Sequence, residues 1–110
     1  MKVYHPAAVA RAAVAAHPDR PAMSLMHDGP DARLVLFRIA PGQSVPVHTS
    51  GSTVVLHVFS GSGLMSGSDG ELAVRPGAVV AYEPQEPHGM RAPTEELIVL
   101  AVIAPRPASR

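Results

Sequence analysis

Three histidines are the residues in this chain best suited to do chemistry: His48, His57 and His88. Imidazole is the commonest metal ligand and the side chain whose charge changes nearest neutral pH, so a convergent set would hold a divalent cation or move a proton. Two of them lie in one stretch, Pro41–Gly63, where a Pro-Gly turn, a β-branched run and a Gly-Ser-Gly turn follow one another. His88 follows a second Pro-Gly, Pro76-Gly77, and a Glu-Pro-Gln-Glu-Pro loop. Glu83 and Glu86 in that loop are candidate carboxylates, although loop acids are more often simply solvated. Tyr82 is a candidate phenol donor or a core cap. Met23, Met26, Met65 and Met90 read as flexible filler of a core or pocket rather than as a sulfur ligand set.

Several chemistries are excluded outright. The chain has no cysteine, which removes disulfides, thiolate metal sites and cysteine nucleophiles together. Nine basic and nine acidic side chains cancel, and Lys2 is the one lysine, so the basic stripe of a nucleic-acid binder is missing. No G-x-S-x-G elbow is present, and Ser50 and His48, two apart on a strand, would be parallel neighbours rather than a triad. No apolar run approaches the roughly 20 residues of a membrane span, and no signal peptide is readable, so a soluble, cytoplasmic protein is expected.

The elements that must position these groups are short strands. The chain of 110 residues is one domain's worth, and its 12 prolines and 9 glycines fall mostly between apolar runs. Residues 1–20 read as a helical appendage: Pro6 opens an alanine-rich run that His17-Pro18 would end, with Val9, Ala13 and Ala16 on one face. From residue 21 the period becomes two. Strands are expected at Ala22–Met26, Arg33–Ala40, Ser44–Thr49 and Thr53–Phe59, then Leu64–Ser66 and Glu71–Val74 as a hairpin around Asp69-Gly70. Ala78–Tyr82, Gly89–Ala92 and Glu96–Ala104 complete the set. This is an all-β barrel or sandwich over 21–105 with a short N-terminal helix. Residues 106–110, after Pro105, form a tail expected to fray. Arg33–Ala40, Thr53–Phe59 and Glu96–Ala104 are apolar on both faces, which predicts cover from the helix or a partner and points to a homodimer.

The ordered sequence of Pro-Gly, strand, His, strand, Gly turn, hairpin, Pro-Gly, strand and His resembles the cupin superfamily, small β-barrels of jelly-roll type. In its first motif a Gly is followed after five residues by His-x-His, then by a Glu and a closing Gly. Here those positions hold Gly42, His48, Ser50, Val54 and Gly61 with the spacing kept. In the second motif, Gly77 leads to Glu83-Pro84-Gln85, His88 and Ala92, again in register. The resemblance implies a cupin β-barrel covering residues 22 to 104.

It also implies a metal site of three His and one Glu, and half of that set is missing. Ser50 and Val54 stand where the second His and the Glu would be. His48 and His88 are thus the candidate ligands, for one divalent transition metal (zinc, iron, nickel or manganese) or for none. His57 is a candidate third ligand only if a bulge near Ser52 turns it inward, because strict alternation places Val54, Leu56 and Val58 inside and His57 outside. Two functions follow. One is binding of a small molecule in a barrel pocket formed by His48, Ser50, Val54, Leu56, Tyr82, His88 and Met90. The other is a metal-dependent oxygenase, isomerase or decarboxylase.

Overall fold

A computed structural model describes residues 1–107. After helix α1 (Pro6–Ala12) come nine strands: β1 (Ala22–Asp28), β2 (Arg33–Ile39), β3 (Ser44–His48), β4 (Thr53–Ser60), β5 (Gly63–Gly67), β6 (Gly70–Val74), β7 (Val79–Tyr82), β8 (His88–Arg91) and β9 (Leu97–Ala104). They form two antiparallel sheets, ordered β1-β2-β9-β4-β7 and β3-β8-β5-β6. Every expected strand is present, with bounds moved by one or two residues.

Alternation decides what each sheet buries. On β4, Val54, Leu56 and Val58 are buried while Val55, His57 and Phe59 face the other way. They join Val35, Ile39, Leu97, Val99 and Ala101 of the same sheet, Met65 and Met90 from the facing sheet, and Ala92 just beyond β8 in one apolar core. Residues i and i+2 of a strand share a face, so each strand contributes every second side chain to that core. Leu36, on the opposite face of β2, is also buried, on the side where α1 packs with its equally buried Ala10. The helix therefore supplies part of the second cover expected for β2.

Two expectations at the chain ends change. The helix stops at Ala12, because Ala13 is already extended at ψ 133°. A helix of two turns has little intrinsic stability in water, and tertiary contacts set its length. Beyond it, residues 17–20 form a turn closed by the Arg20 N–H on the His17 carbonyl (3.1 Å), and Gln43 donates from Nε2 to the carbonyls of Pro18 (3.0 Å) and Arg20 (3.2 Å), which ties that turn to the barrel. The tail does not fray over its described part. Ser52 Oγ donates to the Pro105 carbonyl (2.7 Å), the Arg106 N–H donates to the Asp31 carbonyl (3.1 Å), and the Arg106 guanidinium grips Asp28 through both carboxylate oxygens. Residues 108–110 of the expected tail lie outside the described residues.

Asp28 also accepts from Arg33 Nε at 3.3 Å. The Arg106 hydrogen bond is the largest effect on the Asp28 carboxyl; burial opposes it, and the Arg33 hydrogen bond and the charges of both arginines reinforce it, taking the carboxyl from 3.8 down to about 2. A depressed folded value means that this stabilisation is complete above 3.8 and is lost as pH falls through about 2. Urea midpoints of the native chain and Asp28→Asn, measured from neutral pH downward, should differ by a constant amount above that window. The difference should shrink within it, and a gap that stays constant into strong acid would contradict the clamp.

Candidate functional site

His48 ends β3 and His88 begins β8, and the two are direct cross-strand partners. Their ring centroids lie 4.2 Å apart at 60°, and the Tyr82 ring sits 5.1 Å beyond His88. Forty residues separate the histidines in sequence; pairing of the two strands brings them together. His88 is buried at 6% exposure while His48 is open to solvent.

Each imidazole is oriented in the same way. His48 Nδ1 lies 2.9 Å from the Pro46 carbonyl and His88 Nδ1 lies 2.9 Å from the Glu86 carbonyl. A carbonyl oxygen can only accept, so in both rings Nδ1 carries the hydrogen and the neutral form keeps its lone pair on Nε2. The loop before His88 sets this up. Glu83–Glu86 is a β-turn closed by the Glu86 N–H on the Glu83 carbonyl (3.1 Å), with Pro84 second and Gln85 third at φ 68°. That is the type II pattern, whose third position favours glycine. The turn is docked by the Gln85 N–H on the Ser50 carbonyl (2.7 Å).

The carboxylate of Glu86 turns away from the histidine pair. It accepts from the Glu83 N–H (3.1 Å) and the Ser68 hydroxyl (3.0 Å). Those bonds, the backbone one foremost, hold its carboxyl below the ordinary value, with charge at His88 a minor contribution. Tyr82 donates to the Ser66 carbonyl at 2.8 Å. Burial, then the charges of Glu86 and Asp69, push its phenol above the usual range. Tyr82 is therefore a hydrogen-bonded neutral wall of the site and not a base.

The other expected pocket residues are distributed as follows. Val54 lies opposite Tyr82, Leu56 opposite Val80, and Met90 opposite both Val45 and Met65. Val54, Leu56 and Met90 are packed in the core. Ser50 uses its hydroxyl locally, on the backbone of Ser52. His57 is not brought to His48 and His88. The β4 ladder is regular from Thr53 to Val58, and its one irregularity, between Val58 and Ser60, comes after His57. The ring therefore stays on the outer face, 4.6 Å from Phe59 and opposite Val79 and Leu100.

Among the described residues, no three His, Cys, Asp or Glu side chains are grouped to hold a metal ion. What the pair offers a cation is two imidazole lone pairs. With Ser50 engaged on backbone and Val54 without a donor atom, these residues do not reproduce a four-ligand divalent centre.

A groove of about 750 Å3 opens between β3 and the inner, β1–β2 edge of the larger sheet, and His48 lies in its wall. Its other walls are Met23, read from the sequence as core or pocket filler, and Phe37, Ser44, Val45 and Pro46, which were not singled out, with Ala16, Asp19 and Arg20 of the N-terminal segment across it. Met23 and Phe37 are cross-strand partners on the core-facing side. Met23 nevertheless keeps 60% exposure. Period-two alternation could have flagged both as inward-facing, but the sequence contains nothing that says the core stops short of them.

Two packed antiparallel sheets with a cross-strand histidine pair at the end of the barrel define a small jelly-roll β-barrel with an incomplete metal-ligand set. The chain belongs to the cupin family: the family profile described as "Cupin domain" matches residues 35–103. It is similar to an RmlC-like cupin from Desulfovibrio desulfuricans, at 31% identity and TM-score 0.80 over 96% of this chain and 97% of that one. A Thermus thermophilus structure superposes at TM-score 0.86 and 24% identity, over 97% and 100% of the two chains. An uncharacterized Klebsiella pneumoniae protein with a double-stranded β-helix domain does so at 0.84 and 20%, over 99% and 94%. No curated protein is a significant match. No helix among the described residues is long and apolar enough to cross a membrane.

Proposed function

We propose that this cupin binds a small molecule at the His48–His88 end of its barrel without catalysing a reaction on it. The observation that carries this reading is the substitution pattern at the site. The two positions that would complete a metal centre hold a buried valine, Val54, and a serine, Ser50, bonded to its own loop, while the paired histidines are kept and oriented. A concave site with a few fixed polar groups among apolar walls is what small-ligand recognition needs.

A second reading is favoured by one feature. Both Nδ1 atoms are held by backbone carbonyls, the arrangement that fixes a ligating histidine with Nε2 free. A divalent transition metal (zinc, iron, nickel or manganese) held weakly by His48 and His88 is the corresponding alternative, in a metal-dependent enzyme of oxygenase, isomerase or decarboxylase type. Metal analysis of protein purified without a nickel column separates the two. Substoichiometric metal and an unchanged unfolding midpoint in chelator are expected. A stoichiometric metal that disappears in His48→Ala would establish the second reading instead.

We also propose that the protein is a homodimer, paired through the outer face of the larger sheet. Val55, His57 and Phe59 of β4 and Ile98, Leu100 and Val102 of β9 present an apolar surface there that is half-buried or exposed. Light scattering should give twice the 11.5 kDa chain mass, and a mass of one chain would refute the pairing.

A further inference from the structure

We propose that the groove between β1–β2 and β3 is the ligand seat, and that it takes a neutral, largely apolar molecule carrying one hydroxyl or N–H donor aimed at His48 Nε2. This deepens the small-molecule reading above and rests on it. The volume, about 750 Å3, lies within the range of drug-sized ligand sites. The walls provided by Met23, Phe37, Val45 and Pro46 contain no side-chain hydrogen-bonding group and Ser44 adds a single hydroxyl, so most of the occupant must be apolar.

The polar end is specified by the imidazole. His48 Nδ1–H is committed to the Pro46 carbonyl, and the His88 ring lies against it, 4.2 Å away and tilted by 60°. The neutral ring's remaining polar atom is an acceptor, which selects a donor on the ligand. The rim adds one acid and one base, Asp19 and Arg20, so it carries no net charge to favour an ion of either sign.

The seat has a closing element. Residues 13–21 leave the helix at the extended Ala13, turn over 17–20 and line the groove, and the Gln43 amide ties them at Pro18 and Arg20. The same side chain accepts from the Ala40 N–H at 2.9 Å, which anchors it to the β2–β3 turn. Access to the groove therefore depends on a segment whose tether is a single side chain.

Methionine-methyl NMR reads the inference directly, because Met23 reports on the groove while Met65 and Met90 report on the buried core. The probes are 1-naphthol, 1-methoxynaphthalene, which has a similar ring body and no donor, and 1-naphthoate, which is charged. Saturable shifts at Met23 with Met65 and Met90 unmoved are expected. 1-Naphthol should bind about three- to tenfold tighter than the methoxy compound, the value of one neutral hydrogen bond. His48→Ala should remove that preference.

Gln43→Ala, which alters no residue lining the groove, should raise both association and dissociation rates by freeing the segment. Shifts confined to Met65 and Met90 would overturn the groove while leaving small-molecule binding standing. Equal binding of naphthol and its methyl ether, or tighter binding of naphthoate, would overturn the neutral-donor assignment. The absence of any saturable shift up to the solubility limit would overturn both this inference and the reading on which it rests.

Discussion

Gly61→Ala should be among the most damaging single substitutions in this chain, costing on the order of 3–5 kcal/mol, the upper end of what point changes do. Gly61 sits at φ +77° in the turn from β4 to β5. A Cβ there would lie 1.7 Å from the Glu96 carbonyl oxygen and 2.8 Å from its carbon. Both are backbone atoms leading into β9, so neither can swing aside as a side chain would. Moving them disturbs the start of the central strand, where Leu97 is completely buried.

Gly77 is the internal control. Its φ of +93° is equally unfavourable to a side chain, yet nothing lies within 4 Å of a Cβ built on it. Gly77→Ala should therefore cost only the left-handed backbone term, about 1–2 kcal/mol. Urea denaturation of the two variants measures the difference, and similar midpoints would show that close approach to β9 is not what Gly61 is needed for.

Restoring the two absent ligands, as Ser50→His with Val54→Glu, should convert the site into a metal centre and make folding depend on it. Val54 is 4% exposed and directly opposite Tyr82, whose ring neighbours His88. A carboxylate at that point is desolvated among apolar side chains, a penalty of several kcal/mol unless something positive binds it. The metal-free double variant should thus be much less stable than the native chain. A divalent transition metal should restore it, by about 2.7 kcal/mol when the metal is at a hundred times its dissociation constant.

The native chain, limited to two imidazoles, should show little metal-dependent change in its unfolding midpoint. A comparable metal response of native and double-variant proteins would mean that the native site already has ligands beyond His48 and His88. Metal response in neither would mean that positions 50 and 54 do not converge on the histidine pair.

These two experiments address different depths of information in the sequence. The glycine at position 61 and its partners at 42 and 77 were legible as turn markers, and all three have positive φ. The reason Gly61 tolerates no side chain was not legible, because the atom it would strike belongs to residue 96. The pairing of His48 with His88 was legible through motif spacing alone. Which nitrogen each presents was not, since it depends on carbonyls positioned by the β3 irregularity and the Pro84-Gln85 turn. Gln85 itself, a non-glycine residue at φ 68°, gave no local warning.

The sequence by itself determined the β-barrel, the positions of its strands along the chain and the inward set Val54, Leu56 and Val58, because a period of two and turn chemistry are local properties. Through the same period it also placed His57 outside, once no bulge intervened. Only the tertiary structure decided where the helix stops, that the tail is clamped at Asp28, and where the groove opens. Each of those depends on a contact between distant residues: Gln43 with the carbonyls of Pro18 and Arg20, Arg106 with Asp28, and His48 facing the strand edge that carries Met23. Their formation is governed by what the folded chain brings within hydrogen-bond reach, which no local pattern encodes. For the histidines this difference is decisive: spacing supplied two of them, and the direction of a strand withheld the third.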